Sequence, residues 1–567
     1  MVRTKKLFLT TRAVFKNIRE QGGVYVDKTK QIYDCIGKDT YFFLARPRRF
    51  GKSTLCRTLQ ELFLGNRKLF KGLWIDKSDW GWEKHPVIYL DMTDAAGERN
   101  TIEAFDAAIH EMLGDIAQDY GVKVASKKTV NAHFKGLIKS LHKKFNIGVV
   151  VIIDEYDKPI LDLAATGAEY KWMHSAISDL YAVLKPAEEQ LRFVFMTGVF
   201  KFTQTSVFSK LNNLNDLTFN FRAGDLVGYT QEELESNFSD EINLLAAKVR
   251  VDYAGMCKLL KAEYNGYHFG VDVSAATLAP AVYNPFAINH TFAENQMVRR
   301  WFASGSPRLL IEKIKEGKFE QIRPSGLMVD FDELNTSCNP DAITGLSLLY
   351  YAGYATIAEY IEGDDTVRLG YPNTEVAVAT ANQLVALFVT PGDAAIQRLA
   401  KQLGQAFKNN ELDQVHDLFE QVFAHLTYQI FVSHEKYFQS MIMLVLIMGK
   451  LRVEAEVPTE QGRADLVVYV ADRIFVIETK FNVTAEAGLD QIKNNRYMTK
   501  FKTMGLPVEA VGINIAYKKG LAKSTARAKD GAKKSTKKVV AKAPIITVAW
   551  VTVFKPVRKR VPAKKAR

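Results

Sequence analysis

Residues 45–54 read ARPRRFGKST, and Gly51-Lys52-Ser53 within them match the end of a phosphate-binding loop. A lysine here reaches β- and γ-phosphates, and the neighbouring hydroxyl ligates Mg²⁺. Backbone N–H groups from 48 to 53 would cradle the phosphates at a helix N-terminus. The nucleotide-binding set is therefore Arg48, Arg49, Phe50, Gly51, Lys52, Ser53 and Thr54, with Lys52 expected as an exposed loop side chain. The glycine that usually opens such a loop is missing and Arg46 stands in its place; glycine permits a turn other residues resist. Arg46, Arg48 and Arg49 are candidates to touch phosphate. Further on, GVVVIIDEYD (148–157) ends an apolar run in acids. Asp154 suits Mg²⁺ held through water, and Glu155 suits an attacking water. LRFVFMTG (191–198) puts Thr197 at a strand tip, where a γ-phosphate can be sensed.

A second constellation lies in QGRADLVVYVADRIFVIETK, 461–480. Asp465 begins one apolar strand, and Glu478 and Lys480 end the next, across a turn at Ala471-Asp472-Arg473. Period-two alternation puts Glu478 and Lys480 on one face, and a hairpin brings Asp465 near it. Two carboxylates and a lysine converging on a sheet suit Mg²⁺-dependent phosphodiester hydrolysis. Asp465 and Glu478 hold the metal, with the Thr479 carbonyl as an extra ligand. Lys480 orients or deprotonates the attacking water. Glu435 in the preceding helix adds a carboxylate, and Gln491 in the following helix positions the site. Glu-x-Lys alone is common on exposed strands; its place at the end of an apolar strand beside Gly462-Arg463-Ala464-Asp465 gives it weight.

The elements that must position these residues follow from hydrophobic periodicity. Buried strands are expected at 39–45, 86–92, 148–157 and 191–198, and a helix at 52–66 from Leu55, Leu59, Leu62 and Phe63. Strands alternating with helices to about residue 220 argue for a parallel sheet. From 225 the pattern is mostly helical, with no metal-ligand spacing and no nucleophile. A second α/β pattern starts near 430, with helices at 434–448 and 486–503 and strands near 451–457, 464–470, 474–480, 510–517 and 545–554. Residues 518–543, rich in Lys, Ala, Ser and Thr, read as a disordered insert between two of these strands.

The 567 residues are 47% hydrophobic and 25% charged with net charge +13, an ordinary globular composition for two to four domains. Residues 518–567 hold seventeen Lys or Arg and one acid, so +16 sits there and the first 517 residues net −3. Such a run suits a polyanion, because each Lys or Arg that meets a phosphate releases a counterion. Cys35, Cys56, Cys257 and Cys338 form no CxxC pair, which disfavours zinc and disulfides and fits a reduced compartment. The location expected is cytoplasmic, or nuclear in a eukaryote; a mitochondrial address is disfavoured by ordered-looking sequence from Val24. The longest apolar run, MIMLVLIMG at 441–449, is far short of the roughly 20 residues that span a bilayer, so no membrane partner is expected.

YVDKTKQI (25–32), ARPRRFGKST, IIDEYDKPI (152–160), TGVFKFTQTSVFSKLNNLNDLT (197–218), YNGYHFG (264–270), YNPFAI (283–288) and GYPNTEV (370–376) together resemble the AAA-ATPase-like family that carries a C-terminal PD-(D/E)XK nuclease-like domain. The resemblance runs from about residue 7 to 517. It implies that RPRRFGK is the family's own loop. It also implies that the order helix Glu, GR-x-D, E-x-K, helix Gln marks an intact nuclease site. The fold implied is a P-loop NTPase-type parallel sheet, a helical middle and a restriction-endonuclease-like α/β domain. The division expected is 1–224, 225–429, 430–554 with the basic insert 518–543, and a basic tail at 555–567. The function implied is an ATP-binding protein, with ATP and Mg²⁺ as cofactors, whose nuclease-like domain cuts DNA under ATP control. Its partner is nucleic acid, with a second copy of the chain left open. The alternative is a nucleotide-switched nucleic-acid-binding protein whose nuclease fold no longer cuts.

Overall fold

The computed structural model describes residues 6–8, 14–36, 39–96, 101–125, 128–166, 171–201, 214–300, 326–335, 345–386, 394–425, 435–516, 519–525, 535–541 and 545–554. Side chains are described within these ranges except at 165–166, 345–346, 435–437, 519–525, 535–541 and 553–554. The chain divides into two compact units, 1–375 and 376–567.

The first unit is built on a five-stranded parallel sheet: β1 (Tyr41–Ala45), β2 (Val87–Asp91), β3 (Val149–Asp154), β4 (Leu191–Gly198) and β5 (Asn215–Asp216), in spatial order β2-β3-β4-β1-β5. Every residue of β1 and β3 is buried, so the strands read as unbroken apolar runs, as doubly covered parallel strands do. Helix α1 (Lys52–Phe63) leaves β1 through the phosphate loop and buries Leu55, Cys56, Leu59, Leu62 and Phe63. Helices α2 (Ile102–Asp119) and α3 (Val130–Phe145) fill the connection from β2 to β3, each started by a threonine that accepts a backbone N–H. Loops at the carboxyl ends of parallel strands are where such a sheet takes ligands. Ala45, Asp154 and Gly198 all end there.

Helices α4 (Gln231–Val249), α5 (Tyr253–Tyr264) and α6 (Pro285–Glu294) follow. Helix α4 starts with a complete capping box, Thr230 with Glu233, and Glu233 also takes the Lys28 ammonium at 2.6 Å. The unit closes on a three-stranded antiparallel sheet the helical pattern did not reveal: β6 (Leu327–Asp330), β7 (Thr356–Ile361) and β8 (Thr366–Gly370), in order β6-β8-β7. Its β7–β8 hairpin turns through Gly363 and Asp365, both at positive φ. That turn chemistry was the available signal.

In the second unit, helices α7 (Ala395–Asn409), α8 (Leu412–Ala424) and α9 (Glu435–Met448) accompany a mixed sheet. Its strands are β9 (Arg452–Thr459), β10 (Gly462–Tyr469), β11 (Ile474–Phe481), β12 (Val508–Ala516) and β15 (Ile545–Phe554), in that order. Neighbours are antiparallel except β11 and β12. Helix α10 (Ala485–Asn494) crosses from β11 to β12 and lies so close that a Cβ on Gly512 would sit 1.9 Å from the Ala485 carbonyl oxygen. The expected single helix at 486–503 is cut after Asn494: Asn495 caps it, Arg496 turns at φ 51, and a short turn of helix follows at Thr499–Lys502. The insert differs from the disordered reading as well. Its ends pair with each other as antiparallel strands β13 (Lys519–Thr525) and β14 (Ser535–Ala541), which fall between β12 and β15 in the chain. The tail, 555–567, lies outside the described residues. No helix among the described residues is long and apolar enough to cross a membrane.

Candidate phosphate-loop and carboxylate sites

The phosphate loop is fastened at three side chains. Arg46 is 1% exposed, and its guanidinium donates to the carbonyls of Ala45, Thr218 and Ala223 while lying 4.6 Å from the Phe269 ring centroid. It is therefore a bolt beneath the loop, not a phosphate ligand, which corrects one expectation. It also answers the question of the missing glycine. The left-handed turns fall at Arg49 (φ 72) and Gly51 (φ 96), and position 46 needs none. Phe50 is buried edge-on against Tyr267 and Phe269, at 4.7 and 5.0 Å. Arg49 stacks on Phe286 at 4.0 Å. The aromatic residues of YNGYHFG and YNPFAI thus hold RPRRF in place.

Lys52 is only 3% exposed, contrary to the exposed side chain expected. Its ammonium donates to the carbonyls of Arg46 (3.1 Å) and Pro47 (3.3 Å) and stands 3.6 Å from Glu155 Oε1. Glu155 is itself in the left-handed region, φ 51, a strained setting of the kind found at functional sites. Arg48, Arg49, Phe50, Gly51, Lys52, Ser53, Thr54 and Glu155 all line one cavity of about 500 Å³. Val26, Val227 and Phe286 give it an apolar wall and Asn289 a polar one. Thr197 is not on that lining: it is fully buried, and its hydroxyl donates to the Leu44 carbonyl at 2.7 Å.

Asp154 lies at the end of β3, 1% exposed. Its Oδ2 accepts from the Tyr89 hydroxyl at 3.0 Å, and the Ser53 hydroxyl bonds the same carboxylate. Its Oδ1 is buried without a hydrogen-bond partner. Burial, then the charges of Glu155 and Asp91, push its pKa up to about 6. An orphaned carboxylate oxygen beside a serine hydroxyl fits a divalent cation. The sequence reading passed over Asp157, the last acid of DEYD. Fully buried, it accepts the N–H groups of Val199 and Phe200 at 3.0 and 2.8 Å, and burial raises its pKa to about 7. It locks the turn after β4 against the Asp154-Glu155 pair. A Cβ on Gly198 would strike its Oδ1 at 2.4 Å.

In the second unit, the register brings the predicted residues together. Leu466 faces Ile477, so Asp465 falls beside Glu478 on the next strand. Asp465 Oδ2 accepts both the N–H and the hydroxyl of Thr479, at 2.7 and 2.6 Å. Glu478 is 2% exposed; its Oε1 takes the Lys480 ammonium at 3.0 Å, and its Oε2 is buried with no partner. Burial, then Asp465, raise Glu478 to about 7, against the pull of Lys480. Glu456 was missed: β9 pairing places it beside Asp465, at φ 52 inside a strand. Gln439 of α9 bridges them, donating to Glu456 Oε1 (3.2 Å) and to the Asp465 carbonyl (3.1 Å). Glu435 begins α9, and its side chain lies outside the described residues. Gln491 donates to the Tyr497 hydroxyl at 3.2 Å.

The raised pKa of Glu478 fixes a sign. Between pH 4.5 and about 7 the folded chain holds a proton the unfolded chain has lost, so this group makes stability fall as pH rises. The full effect is on the order of 3 kcal/mol. Melting in EDTA should therefore drop less between pH 5 and 7.5 for Glu478→Gln than for the parent chain. Added Mn²⁺ should stabilise the parent at pH 7.5 and hardly at pH 5, since the metal needs the carboxylate. Parallel pH profiles for the two proteins would refute the assignment.

Comparison with known proteins gives matches in both units. Residues 12–208 match the family described as Predicted AAA-ATPase, and residues 433–525 match the PD-(D/E)XK nuclease superfamily. A curated protein of Azotobacter chroococcum mcd 1, described as "Uncharacterized protein in vnfD 5'region", is 31% identical over 518 residues, covering 88% of this chain and 95% of its own. Among solved structures, the Aeropyrum pernix ORC2 protein in its ADPNP-ADP complexes aligns at 13% identity over 61% of this chain and 86% of its own, with a TM-score of 0.24. CDC6P from Pyrobaculum aerophilum aligns at 11% identity over 67% and 95%, with a TM-score of 0.21. Those scores are too low to carry an argument.

Proposed function

Because the chain belongs to the family of predicted AAA-ATPases that end in a PD-(D/E)XK nuclease-superfamily domain, we propose that it binds ATP and hydrolyses phosphodiester bonds in nucleic acid, DNA first, under the control of bound ATP. The observation that carries this reading is a repeated one. Asp154 and Glu478 each follow an unbroken apolar run in a strand, and each keeps one buried carboxylate oxygen without a partner. Unpaired buried oxygens are costly unless a cation completes them.

ATP binding belongs to 1–224, with Lys52 on the phosphates and Ser53 and Asp154 holding Mg²⁺. Arg48 and Arg49, on the cavity wall, add positive charge toward the phosphates. Glu155 orients the attacking water. Phosphodiester chemistry belongs to 430–554. There Asp465 and Glu478 hold the metal, Glu435 is a further ligand, and Lys480 orients the water. Bound Mg²⁺ supplies charge neutralisation on the phosphate in both places. The basic insert and tail contact the polyanion backbone without reading its sequence. The setting is cytoplasmic.

The rival reading is a nucleotide-switched nucleic-acid-binding protein that does not cut. ATP control is tested with Glu155→Gln. It should bind ATP with parent affinity and turn it over at least about 100-fold more slowly, the range for loss of a catalytic base. Held in its ATP state, it should cut DNA at a rate different from its nucleotide-free rate. Identical rates with and without ATP would remove ATP control from the account.

A further inference from the structure

Strands β2 and β3 run in register, with Tyr89 beside Ile152 and Asp91 beside Asp154. Period-two alternation therefore stands Tyr89, Asp91 and Asp154 on one face of the sheet. That face meets α1, the helix that leaves the phosphate loop: Arg57, one turn past Ser53, lies 3.5 Å from the Tyr89 ring centroid. Arg57 is itself steadied by Gln60, whose Oε1 accepts from it at 3.0 Å. The tyrosine ring is so held from above, and its hydroxyl donates to Asp154 Oδ2 at 3.0 Å. Ser53 adds its own hydrogen bond to that carboxylate, and Oδ1 has none. One oxygen is spoken for, and the other is left over.

We propose that Tyr89 is a positioning residue for the Mg²⁺-nucleotide site. Its hydroxyl fixes the rotation of the Asp154 carboxylate so that Oδ1 is kept for the metal and its waters. Arg57 keeps the Tyr89 ring in place and so links the start of α1 to the edge strand. With Asp91 nearby, Asp154 needs such a clamp. Asp91 is a second carboxylate on the same face, and like charges repel, so an unheld Asp154 carboxylate would be pushed out of its setting. Groups that orient metal ligands are commonly worth 10- to 100-fold in metal affinity, which makes the clamp measurable. The inference rests on the loop being an Mg²⁺-ATP site.

The test is binding of a fluorescent ATP analogue to the full chain, in EDTA and across a Mg²⁺ titration, for the parent, Tyr89→Phe and Arg57→Met. All three should bind the analogue equally in EDTA, because Lys52 and the loop are untouched. The Mg²⁺ concentration for half-maximal enhancement should rise about tenfold in Tyr89→Phe. It should rise about two- to threefold in Arg57→Met, which keeps the Tyr89 hydroxyl and loses the stacking together with the bond to Gln60. Mn²⁺ resonance should show the same order of ternary-complex affinities. An unchanged Mg²⁺ midpoint in Tyr89→Phe overturns the proposal. So does an equal loss of analogue binding in EDTA, which would mark the tyrosine as structural. If the parent binds no analogue in either condition, the site reading fails and this inference with it.

Discussion

Lys52→Ala is expected to lower ATP affinity by roughly 100- to 10,000-fold and leave the chain folded. A lysine that meets two phosphate groups makes charge-assisted contacts of about 1.5–3 kcal/mol each, and every 1.4 kcal/mol is a factor of ten. The folded chain can spare the side chain, although it is buried. Its hydrogen-bond partners are the carbonyls of Arg46 and Pro47, with Glu155 beyond. The scaffold of the loop is made by Arg46 and Phe50 instead. A calorimetric titration with ATP, paired with a thermal melt, separates the two effects. Equal ATP affinity in the variant would refute the site; a collapsed melt would show that Lys52 is part of the scaffold.

Removing Asp465, the proposed metal ligand of the second site, should have the larger effect. Asp465→Ala is expected to abolish metal-dependent cleavage. Lys480→Ala should retain the metal and lose orders of magnitude in rate, because the water is no longer activated. The geometry adds a control. Asp465 also holds the N–H and hydroxyl of Thr479, so alanine removes a structural bond together with the charge. Asp465→Asn keeps an acceptor for Thr479 and should melt like the parent while cutting as poorly as the alanine variant. DNA binding should persist in both Asp465 variants, since removing an acid from the site lowers repulsion of phosphate. Mn²⁺ should replace Mg²⁺ at an all-oxygen site, and Ca²⁺ should bind without supporting rapid cutting. An Asp465→Asn protein that cuts at the parent rate would place the chemistry elsewhere.

The strands that carry chemistry were legible because each is an unbroken apolar run that stops at an acid. VVVIID and IFVIE need no tertiary context to be read as buried strands. The spacing in GR-x-D and E-x-K set the register that places Asp465 beside Glu478. What stayed hidden depends on long-range partners. Nothing local says that Arg46 reaches the carbonyls of Thr218 and Ala223. The Tyr89–Asp154 bond needs the parallel pairing of two strands about sixty residues apart. Glu456 could have been noticed, since β9 pairing places it beside Asp465, but a left-handed glutamate inside a strand has no sequence signature. Asp157 had one, as the third acid of DEYD, and it was read as the end of a strand when it is a buried clamp.

The most direct test of the central claim is a time course of supercoiled plasmid with the purified full chain in Mg²⁺ or Mn²⁺, with and without ATP, beside Asp465→Asn. The account predicts nicked and linear DNA from the parent in either metal, a rate that changes when ATP is added, and intact plasmid from the variant. A parent protein that binds ATP yet cuts neither DNA nor RNA in any of these conditions would contradict it, and leave a nucleotide-switched binding protein in its place.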